Sequence, residues 1–199
     1  MQEKQSDIHL LQQISEGDQN AFRLLFDRYF SKLLQYGKKW TEDESLIEEC
    51  IQELFVYLFT NKKTLLGVQE PTAYLYTAFR RRVLNAIKKE SRRANLNFST
   101  EKEKTLQFSQ EDFLIQEEEQ LERSEKVERL LNELPTRQRE AVYLRYYDEL
   151  STAEIARVMG ISKQGVLNML YKAIKKLRQT SHLTLTIPLV FFILFLPLP

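Results

Sequence analysis

Apolar residues recur at three- and four-residue intervals through most of the chain, the spacing that aligns one face of an α-helix. Ser6 can cap a short helix running to Ile14, and Glu16-Gly17-Asp18 ends it and caps the next. Phe22, Leu25, Phe26, Tyr29, Leu33 and Tyr36 then mark a long amphipathic helix. Thr41 with Glu44 reads as a capping box, opening a helix whose inner side is Ile47, Ile51, Leu54, Phe55 and Leu58. A polar loop with Gly67 follows, and Pro71 stands at or just before the next helix, whose inner stripe is Leu75, Phe79, Val83, Ala86 and Ile87.

Periodicity fades between Ala94 and about Gln116, and the polar composition there predicts a flexible linker. It resumes in an acidic helix carrying Leu121, Val127, Leu130, Leu131 and Leu134. Pro135 suits a helix start, because its missing N–H would have no partner there. Ser151 and Glu154 form a capping box, placing a second helix start at about Thr152. Gly160 can take the left-handed conformation that stops this helix, Ile161 tucks into the corner, and Ser162 caps the next one. In that last helix Val166, Leu170, Ala173 and Leu177 make one apolar stripe, leaving Gln164, Asn168, Tyr171, Lys172 and Lys175 opposite.

The pattern predicts an all-α fold: two small helical domains joined by a flexible linker, the C-terminal one a helix-turn-helix. The expected boundaries are 6–93 for the first domain, 94–116 for the linker, 117–179 for the helix-turn-helix domain and 180–199 for a hydrophobic tail.

Composition narrows the chemistry. The 199 residues suffice for two small cores, and glycine and proline are scarce, at five each, as helical chains require. Cys50 is the single cysteine, which excludes an internal disulfide and fits a reducing compartment. His9 and His182 lie far apart without cysteine company, so no metal site is expected. The sequence has no glycine-rich phosphate loop, nucleophile elbow or zinc motif, so neither a cofactor nor enzymatic activity is expected. No charged-then-apolar signal peptide opens it, and the reading is cytoplasmic.

A net charge of +1 conceals a strong segregation. Between Thr41 and Phe59 the acids Glu42, Asp43, Glu44, Glu48, Glu49 and Glu53 meet no basic residue. Between Thr72 and Arg93 the sign reverses, with Arg80, Arg81, Arg82, Lys88, Lys89, Arg92 and Arg93 against Glu90 alone, and Lys163 to Arg178 is again purely basic. Phosphate binding and partner steering depend on such local fields rather than on the sum. A helix-turn-helix puts a basic, amide-bearing outer face into the DNA major groove, where Lys163, Gln164, Asn168, Tyr171, Lys172 and Lys175 could reach bases or phosphates. The competing reading is a plain helical hairpin with a solvated lysine face; capping box, corner glycine and outward amides together favour DNA.

Leu134-Pro135-Thr136-Arg137-Gln138-Arg139-Glu140, running on to Leu144-Arg145-Tyr146 and Leu150-Ser151-Thr152-Ala153-Glu154-Ile155-Ala156, resembles the C-terminal domain of bacterial extracytoplasmic-function sigma factors. The N-terminal half is similar too, through Asp18-Gln19-Asn20-Ala21-Phe22, Ile47-Glu48-Glu49-Cys50-Ile51-Gln52-Glu53-Leu54-Phe55 and Ala73-Tyr74-Leu75-Tyr76 before the arginine cluster. The resemblance covers roughly Ile8 to Arg178. It implies a protein that binds core RNA polymerase and directs it to promoter DNA, with an anti-sigma factor as a further partner class. Glu48, Glu49, Gln52 and Glu53 would dock on the coiled-coil clamp of the largest polymerase subunit. The segment from Asn61 to Lys89 would contact the minus-ten element, its loop holding an unstacked base and Arg80, Arg81, Asn85, Lys88 and Lys89 lying along the DNA. The helix from Ser162 to Arg178 would read the minus-thirty-five element as duplex.

Some positions depart from the family pattern. Gly165-Val166-Leu167-Asn168-Met169 replaces a run of the Thr-Val-Lys-Ser-Arg type, so two basic positions are apolar and base contact falls to Lys163, Gln164 and Asn168. Arg81 stands where the family commonly has Asn, and Tyr74 where it commonly has Trp.

Leu183 to Pro199 contains no charged residue. As a helix it would span about 25 Å, short of the roughly 30 Å hydrocarbon core, and Pro188 interrupts it. Three readings stay open: a marginal membrane anchor with Lys175, Lys176 and Arg178 on the cytoplasmic side, a plug packed on the protein's own domains or on an inhibitor, and a disordered, aggregation-prone end. Two functional alternatives stand beside the sigma-factor reading, a stand-alone helix-turn-helix regulator and a membrane-tethered one.

Overall fold

The computed structural model describes residues 6–94, 106–109 and 127–180. Among these, all regular structure is helical, and they fall into two units, one carried by the first four α-helices and the other mainly by the later ones. Most of the expected linker, Leu121 in the acidic helix and the whole of Leu183 to Pro199 lie outside the described residues.

The first unit opens with α1 (Asp7–Glu16), whose N-cap Ser6 accepts the His9 N–H at 3.3 Å. Gly17 ends it at φ 103°, a left-handed geometry that costs glycine little. The next residue, Asp18, caps α2 (Gln19–Lys38) by accepting from the backbone N–H groups of Asn20 and Ala21. Three residues thus stop one helix and start another at a fixed angle. For α3 (Glu44–Thr60) the expected Thr41 cap is displaced: the Asp43 carboxylate accepts the Leu46 N–H at 3.0 Å, and Thr41 instead accepts the N–H of Asp43. A carboxylate at the cap also faces the positive end of the helix dipole, which favours Asp43.

The loop after α3 holds a short 3-10 turn, Lys62–Leu65, that buries Leu65, and α4 (Pro71–Ala94) begins at Pro71. Leu25, Leu33, Tyr36, Ile47, Ile51, Leu54, Leu75, Tyr76, Phe79 and Val83 are fully enclosed between α2, α3 and α4. Burying each such side chain contributes about 1.5–3 kcal/mol before chain entropy is set against it. Gly37 is required here, since a Cβ on it would lie 2.4 Å from Ile47 Cγ2 and 3.2 Å from the Phe79 ring.

To the second unit belong α5, described over residues 127–132, α6 (Thr136–Tyr146), α7 (Thr152–Met159) as far as Ile155, and α8 (Lys163–Thr180). Pro135 is the cap residue of α6 rather than its first helical residue, with ψ 142°. At α7 the predicted box is present: Glu154 accepts from the Ser151 N–H at 2.8 Å while its own N–H is accepted by Ser151 Oγ at 3.2 Å. Gly160 adopts φ 63°, and Ser162 Oγ accepts the Gly165 N–H at 3.0 Å to start α8. Val166 and Ala173 are fully buried and Leu170 nearly so, fixing which side of α8 faces inward.

One contact lies inside the segment expected to be linker. The Phe108 backbone exchanges two hydrogen bonds with the Asn132 side-chain amide, at 2.9 and 3.0 Å, and the Phe108 ring packs on Tyr143 and Tyr147. Asn132 Oδ1 also accepts from Arg139, a guanidinium buried to 6% exposure and lowered in pKa by that burial.

Candidate functional site

The capping hydrogen bonds determine which side chains each helix offers outward. On α8 the buried stripe leaves Lys163, Gln164, Asn168, Tyr171, Lys172 and Lys175 exposed, as the sequence predicts. Tyr171 is 67% exposed, a large aromatic held out of the core. Gln164 Nε2 donates to Asn168 Oδ1 at 3.1 Å, tying two of these residues together along the helix. Arg178 extends the same side by one turn and Leu167, 38% exposed, interrupts it with an apolar group; neither is among the outward residues that the apolar stripe singles out.

On α4, Arg81, Asn85, Lys88 and Lys89 are exposed and share one ridge, separate from the buried Leu75, Phe79, Val83 and Ile87. A shallow open depression lined by Asn85, Lys88, Lys89, Arg92 and Arg93 continues that ridge toward the helix end. Arg92 and Arg93, which belong to the basic run of the sequence, are exposed here and extend the ridge beyond the residues the resemblance implies.

Arg80 differs from its neighbours, since its guanidinium is half-buried 5.7 Å from the centre of the Trp40 ring. Such a cation–π contact restrains the guanidinium against the ring. Arg82 is placed similarly over Tyr57, at 5.3 Å, and donates to the Ala78 carbonyl.

The acidic side of α3 is built from Glu49, Gln52 and Glu53, all exposed, with Glu48 half-buried beside them. None of Glu48, Glu49 and Glu53 has an ion-pair partner among the described residues. Val56 and Tyr57, 60% and 40% exposed, lie one turn further along this side. Carboxylates beside exposed apolar groups are the makings of a protein interface, in which charges orient an Arg-rich partner and the apolar part is desolvated. Directly beneath, the Cys50 thiol is buried, and that burial, with Glu53 and Glu49 adding to it, pushes its pKa up to about 11. No cluster of metal-ligating side chains occurs among the described residues.

Two helical units, the second a helix-turn-helix, with one acidic and two basic faces, define a class of transcription protein. Residues 25–93 match the family model for sigma-70 region 2, and residues 124–177 match that for sigma-70 region 4. The chain belongs to the sigma-70 family of RNA polymerase sigma factors, in its extracytoplasmic-function type, a family of transcription factors rather than enzymes.

It is similar to the ECF RNA polymerase sigma factor SigW of Bacillus subtilis, 25% identical over 178 residues covering 85% of this chain and 93% of that protein. The ECF RNA polymerase sigma factor SigL of Mycobacterium tuberculosis is 26% identical over 164 residues, covering 79% and 87%. Among solved structures, CnrH in complex with the cytosolic domain of CnrY superposes with a TM-score of 0.61 at 21% identity, covering 87% of this chain and 96% of that one. The sigma factor RpoE of Bartonella quintana, in complex with the anti-sigma factor NepR, gives 0.57 at 16% identity, covering 79% and 94%. These two structures share the fold. No helix among the described residues is long and apolar enough to cross a membrane.

Proposed function

We propose that this chain binds core RNA polymerase and directs it to promoters, with a division of labour between its two units. Glu48, Glu49, Gln52 and Glu53 on α3 dock on a basic helical surface of the polymerase. The loop from Asn61 and the α4 ridge of Arg80, Arg81, Asn85, Lys88 and Lys89 hold the minus-ten element. The exposed side of α8, with Lys163, Gln164, Asn168, Tyr171, Lys172 and Lys175, enters the major groove of the minus-thirty-five element. The functional domains are 6–93 and 117–179, connected by 94–116, of which Phe108 packs with the second domain.

The observation that carries this reading is the segregation of charge on separate helices: the carboxylates of Glu48, Glu49 and Glu53 on α3, which have no ion-pair partner among the described residues, and the cations on α4 and α8. Opposite fields on separate faces suit a bridge between a basic protein surface and phosphate. The complex that RpoE forms with the anti-sigma factor NepR supports a protein of the anti-sigma class as a further partner. The uncharged stretch Leu183 to Pro199 suits an apolar partner, and fractionation of cells with and without residues 183–199 separates membrane from protein.

Run-off transcription tests the proposal. Core polymerase plus this chain initiates at defined start sites on promoter templates, and core polymerase alone does not. A stand-alone regulator would instead bind its site without conferring initiation.

A further inference from the structure

The exposed side of α8 is not uniformly basic. Its first two turns present Gln164, Leu167, Asn168 and Tyr171, and the cations Lys172, Lys175 and Arg178 follow on later turns. Between Gln164 and Tyr171 there is no charged residue. Lys163 precedes them, one turn before Leu167 and about 100° round the axis from Gln164, at the edge of this neutral patch. In a helix-turn-helix the N-terminal residues of the second helix meet base edges, so neutral groups occupy the reading positions here.

The Gln164–Asn168 bond decides what those groups can recognise. It uses one Nε2 hydrogen of Gln164 and one lone pair of Asn168 Oδ1. Asn168 Nδ2 keeps both its hydrogens, and Gln164 keeps Oε1 and its second Nε2 hydrogen, so donors and an acceptor remain for an outside partner. Adenine presents the complementary pair in the major groove, an N7 acceptor beside an N6 amino donor. Guanine presents two acceptors, O6 and N7, commonly served by Arg or Lys, whereas these turns hold no arginine and a single lysine, Lys163, at the edge of the patch; cytosine presents a single donor. Leu167 adds a second preference. It is exposed although wholly apolar, and the thymine C5 methyl is the group in the major groove that an apolar side chain can cover.

We propose that the first two turns of α8 read adjacent A·T pairs of duplex promoter DNA. Asn168, positioned by Gln164, hydrogen-bonds one adenine. Leu167 packs on the thymine methyl of a neighbouring pair, and Lys172 and Lys175 bind phosphates. This rests on the reading of α8 as the promoter-duplex helix and adds which base pairs it selects.

The test uses polymerase reconstituted with the full chain and a promoter library randomised across the upstream element. Adjacent A·T pairs are expected to be enriched among transcribed templates. Single templates then probe the atoms: 7-deazaadenine replaces N7 with a carbon, and deoxyuridine removes only the thymine methyl. Initiation by the wild-type chain should fall on the order of ten-fold with 7-deazaadenine and several-fold with deoxyuridine. Asn168→Ala should become indifferent to the first analogue and Leu167→Ala to the second, at unchanged fold. Enrichment of G·C pairs, or indifference of the wild-type chain to both analogues, overturns the proposal while leaving promoter reading by α8 in place. A transcribed library with no enriched upstream position overturns both together.

Discussion

The Tyr29 hydroxyl donates to an Asp7 carboxylate oxygen at 2.5 Å, joining the start of α1 to the middle of α2. The same hydroxyl lies 2.8 Å from Thr72 Oγ1 at the start of α4, and Arg28 donates to the other Asp7 oxygen. Three helices are therefore tied at one nearly buried phenol. Hydrogen bonds to a charged acceptor are worth about 1.5–3 kcal/mol, so Tyr29→Phe should destabilise the first unit by about 2 kcal/mol. Trp40, the single tryptophan, lies in this unit and reports its unfolding by fluorescence.

The same phenol sets an alkaline limit. Burial first, and the Asp7 hydrogen bond second, raise the Tyr29 pKa above that of a free tyrosine. A raised folded-state pKa gives stability that is complete below the unfolded value, about 10, and is lost as pH rises beyond it. Trp40-detected stability should therefore fall above about pH 10, and Tyr29→Phe, though weaker at neutral pH, should lose less over that range.

Cys50 acts in a lower window. Its thiol ionises at about 11 in the fold, raised by burial and then by Glu53 and Glu49, so its contribution is intact below the free-thiol value of about 8.5 and is lost between there and 11. Because the thiolate is the nucleophile, iodoacetamide at pH 8 should label native protein at least about ten-fold more slowly than urea-unfolded protein. Equal rates would mean the α3 face is open to solvent beneath its acidic ridge.

Phe108 should prove to be part of the second unit. Its ring is 3% exposed against Tyr143 and Tyr147, and truncating a buried phenylalanine costs about 3–5 kcal/mol. Phe108→Ala should accelerate amide exchange in α6, and Asn132→Ala, which removes both backbone hydrogen bonds and the Arg139 contact, should do the same.

Gly37→Ala tests the packing of the first unit. Alanine normally favours a helix, but here the added methyl would meet Ile47 and Phe79, and overpacking of this kind costs about 1–3 kcal/mol. The Trp40-detected unfolding midpoint should drop. A rise would mean that α2 and α3 separate easily.

The helices and their inner stripes were legible because each is a local periodic pattern, and Ser6, Gly17, Asp18, Ser151, Gly160 and Ser162 mark boundaries through groups only a few residues away. What sequence missed depends on distant partners. Phe108 stands in a polar run and its anchor Asn132 is 24 residues further on, so periodicity could not reveal it. Arg80 counted as an outward charge on the helix pattern, and only the fold brings Trp40 under it. At α3 both Thr41 and Asp43 can cap, and the choice turned on which side chain reached the Leu46 N–H. Exposure of the candidate α8 residues followed from the apolar stripe alone, whereas the Gln164–Asn168 bond, and with it any base preference, required coordinates.

Footprinting of the complete polymerase on one promoter tests the division of labour most directly. Two protected regions should appear, around minus thirty-five and minus ten, about 25 base pairs or roughly 85 Å apart at ~3.4 Å per pair. Lys172→Ala with Lys175→Ala should weaken the upstream region alone, and Arg81→Ala with Lys88→Ala the downstream one alone. Glu49→Lys with Glu53→Lys should abolish both, because polymerase is no longer held. A single protected site that the free chain produces equally well, indifferent to polymerase and to the α3 charges, would contradict the account.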